Sequence, residues 1–292
     1  MLALPNGFLA SASWDKTVKI WNINSGNLVY TFNSSNGGHS DWVLPLAYLS
    51  NGYLASGSFD NTVKIWNLKT GRLVFTFDEK KDGHIKNVNT LVALHDGLLA
   101  SGSDDTTIRV WNTTTGTLKG IFGSDNGGHS DWVSCLAYIK SKFYLASGSW
   151  DQTVRIFNVK NGKLVYTFNH TSIVSALSVL SNDNLAVSTF DGQIYIYDLN
   201  NGVLVTKFLH SNENVPTLAQ LSNGYLASGS WDNTIKIWNV NDASLRGEVN
   251  QITEKTQGHT QKVNVLAASR DGYLVSGGDD NIVNVFYLSQ LN

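Results

Sequence analysis

The stretch YLASGSWDNTIKIWN at 225–239 constrains the fold of this chain more than any other feature, because it recurs. Close copies of the same fifteen residues stand at 8–22, 53–67, 98–112 and 144–158, with looser ones at 184–198 and 273–287. The seven copies start 45, 45, 46, 40, 41 and 48 residues apart. A period in this range signals stacked supersecondary units and overrides any domain count taken from length. Each copy holds two β-rich runs around an Asp-containing turn. YLASGS alternates around small residues, and TIKIWN alternates β-branched with polar ones. One such unit cannot bury both faces of its sheet alone. Seven of them predict a single all-β, seven-bladed β-propeller of four-stranded antiparallel blades across 1–292, not seven domains.

Turn chemistry fills in the rest of each unit. Pro5-Asn6-Gly7 reads as a tight turn with glycine supplying positive φ, and Ser50-Asn51-Gly52, His95-Asp96-Gly97, Ser222-Asn223-Gly224 and Arg270-Asp271-Gly272 take the same slot. LVYTF at 28–32 alternates and predicts an outer strand, with counterparts at 73–77, 164–168 and 204–208. The loop SSNGGHSD then leads into WVLPLAYL, an apolar run suited to a strand buried on both faces. The segment 241–257 reads as the longest and most mobile connection.

Bulk composition excludes several function classes. The formal net charge is −2, charged residues make up 15%, and no basic run occurs, so the footprint of a nucleic-acid binder is absent. No apolar stretch is long enough to span a membrane. The start, MLALPNGFLAS, reads as strand and turn, unlike a signal peptide. Cys135 is the only cysteine; no internal disulfide is open to it, which suits a reducing, cytoplasmic compartment.

The repeat resembles the WD-repeat family of β-propellers over essentially the whole chain. The signature is a Gly-His pair, here Gly38-His39, Gly83-His84, Gly128-His129 and Gly258-His259, followed by a Trp-Asp-like ending. The ending reads Trp-Asn at Trp21, Trp66, Trp111 and Trp238, and Tyr-Asp at Tyr197. Spacing agrees independently. From His39 to Asp60, His84 to Asp105, His170 to Asp191 and His259 to Asp280 is 21 residues; from His129 to Asp151 and His210 to Asp232 it is 22. In an up-down unit, the loop before the first strand and the turn after the second lie at one edge, so each His meets its Asp. The resemblance implies a buried network of His, Ser, Asp and Trp, with complete sets His39-Ser56-Asp60-Trp66, His84-Ser101-Asp105-Trp111 and His210-Ser228-Asp232-Trp238. The indole donates only, and Asp accepts. Each bond contributes about 0.5–1.5 kcal/mol net, and stranding a partner costs about 1–3.

Some copies depart from the pattern. Phe157, Tyr197 and Phe286 replace Trp, and Val187 replaces Ser in the fifth copy, which is expected to be the least regular. The first copy has no His. The chain ends five residues past Tyr287, so the last blade is expected to lack its outer strand. A propeller open in this way reads as a piece of a longer polypeptide, its last strand an exposed edge.

Six His–Asp pairs at one spacing argue for structure over catalysis or metal binding, since a catalytic site does not recur six times in one ring. No nucleophile elbow, phosphate loop or CxxC occurs. We expect no catalytic residue, metal or cofactor. The informative positions precede each turn Asp: Trp14, Phe59, Asp104, Trp150, Phe190, Trp231 and Asp279. They are expected on one face around the central channel, joined by Trp42, Trp132, Asn87, Asn89, Ile173, Asn214, Lys262 and Asn264 from the His loops. Exposed Trp and Phe in such number need a reason. Trp is enriched at binding hot spots and its face attracts cations. Lys19, Lys64, Arg109, Arg155 and Lys236 recur with the period and read as a solvated stripe.

The resemblance implies a non-enzymatic scaffold, and the rim implies a protein or peptide partner carrying Lys or Arg. Two other readings stay open. The self-similar repeats look like the sensor end of a nucleotide-binding signalling protein, and Trp-rich rims also serve glycan-binding lectins. The sequence is silent on partner identity and oligomeric state.

Overall fold

The computed structural model describes residues 1–249, 258–269 and 272–287. The chain is an all-β, seven-bladed β-propeller without α-helix among these residues. Each blade is an antiparallel meander of consecutive strands. The first comprises Leu2–Leu4, Phe8–Ala12, Val18–Asn22 and Leu28–Phe32; the second, Val43–Tyr48, Tyr53–Ser58, Val63–Asn67 and Arg72–Phe77. Blades three to six occupy 88–122, 133–169, 174–209 and 217–249. The seventh has three described strands, Val263–Ala268, Tyr273–Gly278 and Val283–Tyr287. By contact density the chain falls into two compact units, Met1–Asp151 with Arg155–Val165, and Gln152–Val154 with Tyr166–Asn292.

One expectation needs correcting. The segment 241–257 is not simply a connection, because Ser244–Val249 is the fourth strand of the sixth blade and pairs with Ile235–Asn239. Its polar sequence, SLRGEV, hid it: only Val249 is fully buried. Residues 250–257, and the Arg270-Asp271 part of the expected turn, lie outside the described residues.

From the second blade on, the second strand of each blade is its most enclosed, as in YLASGS at Tyr53–Ser58, buried from Leu54 onward. Its small residues admit neighbouring sheets. A Cβ on Gly57 would stand 2.7 Å from Val88 and 2.8 Å from Pro45. Each of the first five blades closes its apolar layer with a Phe from its fourth strand, while the sixth uses Val249. Within the first unit, Phe32 stacks on Trp66 at 4.2 Å, Phe77 on Trp111 at 4.4 Å, and Phe122 packs on Phe157 at 4.4 Å. Within the second, Phe168 stacks on Tyr197 at 4.0 Å and Phe208 packs on Trp238 at 4.6 Å. Full burial of such rings stabilises by about 1.5–3 kcal/mol each, and ring pairing adds about 0.5–1.5.

The turn Asp is a backbone device. Its carboxylate accepts from the N–H two residues on, as Asp60 does from Thr62 at 3.0 Å and Asp105 from Thr107 at 3.0 Å. The residue between is left-handed, with φ of 67° at Asn61 and 70° at Thr106. This Asx-type turn aims the Asp side chain back along the blade edge.

Candidate functional site

At that edge, the residue before the turn Asp is tied to the His loop through the backbone. The N–H of Phe59 donates to the Trp42 carbonyl at 2.9 Å, Asp104 to Asn87 at 3.0 Å, and Trp150 to Trp132 at 2.9 Å. In the second unit, Phe190 donates to Ile173 at 2.9 Å, Trp231 to Asn214 at 2.9 Å, and Asp279 to Lys262 at 3.0 Å. Side chains at these paired positions are therefore displayed side by side whatever their chemistry, because the clamp involves no side-chain atom.

Beneath the clamp lies the His–Ser–Asp–Trp network. His39 Nδ1 meets Asp60 at 2.9 Å and Nε2 meets Ser56 at 2.8 Å, while the Trp66 indole donates to Ser56 at 2.9 Å. His84 repeats this with Asp105 at 2.8 Å and Ser101 at 2.7 Å, and Trp111 donates to Ser101 at 2.8 Å. His129 meets Asp151 at 2.9 Å and Ser147 at 2.7 Å; His259 meets Asp280 at 2.9 Å and Ser276 at 2.7 Å. Burial works to raise the Asp60 and Asp105 carboxyls, but hydrogen bonds from His and Thr outweigh it and hold both well below the usual carboxylate range. Burial lowers the His84 imidazole despite Asp105 beside it. Each of these four imidazoles is buried, at 1–2% exposed, with both ring nitrogens held by its own blade, as a structural role requires. Among the described residues no His, Cys, Asp and Glu cluster is arranged for a metal.

Two blades depart. In the sixth the imidazole is turned over: His210 Nδ1 meets Ser228 at 2.7 Å, Nε2 meets Thr234 at 2.9 Å, and Asp232 stands back at 3.6 Å. The expected His210–Asp232 hydrogen bond is thus replaced by one through Thr234, which itself donates to Asp232 at 2.7 Å. In the fifth, Val187 occupies the serine position, and both ring nitrogens of His170 are buried without a hydrogen-bond partner. The ring packs edge-on against Tyr195 at 4.6 Å, and burial lowers it to about 4.

In the first unit the displayed side chains other than Asn87 and Asp104 are aromatic, and they meet one another. Trp14 stacks on Trp42 at 4.5 Å, Trp42 meets Phe59 at 5.5 Å, and Trp132 meets Trp150 at 4.5 Å. All four indoles are substantially exposed, Trp14 at 63% and the others near 40%. Phe59, Trp132 and Trp150 line a cavity of about 340 Å³ with Asn87, Asn89, Ser134 and Asp104. Asp104 is only 7% exposed and accepts from Asn89 Nδ2 at 2.6 Å, so this acidic position is recessed where a rim position was expected. The second unit carries its own group. Phe190 packs edge-on to Trp231 at 5.1 Å, the Lys262 ammonium lies 3.9 Å over the Trp231 ring, and Asn264 donates to exposed Asp279 at 2.5 Å.

One further sequence reading is corrected by geometry. The recurring Lys and Arg positions are half-buried, not a solvated stripe: Lys19 pairs with Asp15 at 3.6 Å, Lys64 donates to Thr76 at 3.4 Å, and the other three are pegs. Arg155 Nη1 donates to the Gly127 carbonyl at 2.6 Å, Arg109 to that of Asp82, and Lys236 to that of His210 at 2.6 Å, so each secures a His loop. His95 lies in its expected turn and is tied there: Nδ1 meets the Tyr138 hydroxyl at 2.6 Å, and the ring packs edge-on to Phe143 at 4.9 Å. Ser134, which lines the cavity, had no signal in the sequence beyond its apolar strand.

Comparison with known proteins agrees with this geometry. The family model described as WD domain, G-beta repeat matches residues 4–22, 26–67, 71–112, 118–158, 162–198, 202–239 and 250–286. The chain is similar to the crystal structure of the computationally designed Ika8 protein, at 28% identity and a TM-score of 0.80, over 98% of this chain and 82% of that one. No curated protein matches it. No helix among the described residues is long and apolar enough to cross a membrane.

Proposed function

The chain belongs to the WD-repeat family, and from that membership we propose that it is a non-catalytic platform recognising a protein or peptide through its aromatic-rich blade edge. Propellers of this family are commonly interaction scaffolds. The fold alone does not choose the surface. The observation that carries the choice is the exposed row Trp14–Trp42–Phe59 together with the Trp132–Trp150 pair. Monomeric proteins rarely spend this much indole area on water, and Trp dominates binding hot spots. The recessed Asp104 beside them favours a partner carrying Lys or Arg over an acidic one. The single cysteine goes with a cytoplasmic setting for such a partner.

The test is capture from a display library of random peptides, comparing the wild-type chain with a Trp14→Ala, Trp132→Ala, Trp150→Ala variant whose circular dichroism matches wild type. Peptides held by the wild type and released by the variant are the expected result. Equal capture by both moves recognition to another face.

A further inference from the structure

We infer that the cavity between Trp132, Trp150 and Asp104 is a receptor for one arginine side chain of the partner. The inference rests on the proposed peptide-binding role and names its central contact. Size comes first. The cavity is about 340 Å³, at the small end of the roughly 300–1,000 Å³ of small-ligand pockets. It takes a single side chain, not a folded surface.

Its walls set the chemistry. Trp132, Trp150 and Phe59 supply the aromatic part of the lining, and indole faces attract cations. The rest of the lining is polar, with Asp104 its only charged residue. The Asp104 backbone N–H is held by the Asn87 carbonyl at 3.0 Å, and its Oδ1 accepts from Asn89 Nδ2 at 2.6 Å. Asn89 Nδ2 also donates to the Val133 carbonyl at 3.2 Å, which locks the amide in place. An ionised carboxylate offers about four acceptor sites, and Asn89 fills one. A cation with several donors in a plane completes the set.

This arrangement separates the candidate cations. A quaternary ammonium gains from the aromatic lining but brings Asp104 no donor beyond Asn89. A lysine ammonium is a compact, strongly hydrated charge that loses its water on entering a recessed site. A guanidinium stacks flat on an indole while donating in a fork to the carboxylate, and is weakly hydrated. The corresponding group in the second unit is built differently. There the ring of Trp231 is already covered by Lys262, and Asp279 is exposed.

The experiment uses the full chain and a fluorescent peptide selected by display. Its essential basic position is replaced in turn by arginine, citrulline, lysine and trimethyllysine, and affinity is read by anisotropy. We expect arginine to bind at least tenfold tighter than citrulline, which keeps the shape and loses the charge, and tighter than both lysine forms. In Asp104→Asn the amide oxygen still accepts from Asn89, so the fold persists. There the arginine preference over citrulline should shrink to about twofold. Citrulline binding as well as arginine, or an arginine preference that survives Asp104→Asn, overturns the inference. If selected peptides are released by the triple tryptophan variant yet show no arginine dependence, the receptor is refuted while the peptide platform stands. If no peptide is retained by the wild type, both fall.

Discussion

The backbone N–H of Trp150 donates to the carbonyl of Trp132 at 2.9 Å, and the two indoles meet with centroids 4.5 Å apart at 44°. The clamp and the ring contact are separable, because only the second uses side-chain atoms. Trp132→Ala and Trp150→Ala should each leave the blade edge intact and lower stability by roughly 1 kcal/mol, since both rings are about 40% exposed. Loss of peptide affinity should be tenfold or more for each. The double variant should lose less than the sum, because each ring positions the other. Anisotropy titration alongside urea unfolding separates the two effects; a stability loss equal to the affinity loss would contradict it.

Ser101 and Ser147 occupy the same place in neighbouring blades but carry different loads. Ser101 accepts from the Trp111 indole at 2.8 Å and meets His84 at 2.7 Å. Ser147 meets His129 at 2.7 Å, while Phe157 stands where the indole would be. Ser101→Ala strands a buried imidazole nitrogen and a buried indole; Ser147→Ala strands no indole. Ser101→Ala should therefore cost about 1–3 kcal/mol more than Ser147→Ala. Urea midpoints at equal slope give the comparison, and equal midpoints would show that the indole bond is not a net contributor.

His170 predicts a pH response confined to the second unit. Its folded value of about 4 lies below the ordinary 6.5, because burial penalises the charged ring. Between those values the unfolded chain holds the proton and the folded chain does not. Stability is then complete above about pH 6.5 and is lost as pH falls toward 4, by on the order of 2–3 kcal/mol. His170→Phe keeps an aromatic against Tyr195 and removes the titration, so its stability should fall less across that window. Melting temperatures at pH 7, 5.5 and 4.5 decide it. Parallel declines for wild type and variant would mean the ring is not held neutral. Below pH 4 both should weaken together as Asp60, Asp105 and Asp232, held low in the fold, take up protons.

What the sequence disclosed followed from locality. The Asp60 turn and the His39–Asp60 meeting lie within one blade, so spacing and strand alternation suffice to find them. The serine exchange at Val187 was visible too, though not that it leaves His170 without a partner. Contacts made across the sheet packing were invisible. His95 meets Tyr138, 43 residues away, and Trp14 stacks on Trp42 of the next blade. Arg155 was misread because its partner is a backbone carbonyl, which no residue type announces. Asp104 was read as rim because the sequence gives its position but not its depth. The strand at Ser244–Val249 escaped because tertiary pairing, not its own alternation, makes it a strand.

The glycines of the Gly-His pairs at 38, 83 and 128 make the last prediction. Gly83 N–H donates to the Asp78 carbonyl at 2.7 Å, and a Cβ on Gly83 would stand 2.3 Å from that same oxygen. Gly38 and Gly128 face Asn33 and Gly123 in the same way, at 2.4 and 2.5 Å. The need arises where a one-turn 3-10 segment, as at Glu79–Lys81, doubles the chain back before the His. Blades five and six approach His170 and His210 directly from the strands Lys163–Asn169 and Val203–Leu209, with no such turn. That is why Asn169 and Leu209 are tolerated there. Gly83→Ala should open the turn, withdraw His84 from Asp105 and Ser101, and cost about 3 kcal/mol or more. Asn169→Ala should cost well under 1 kcal/mol. Urea unfolding of the two variants, with hydrogen exchange at the Trp111 indole, tests the contrast. A Gly83→Ala protein with wild-type stability and a protected indole would show that the close approach relaxes without consequence.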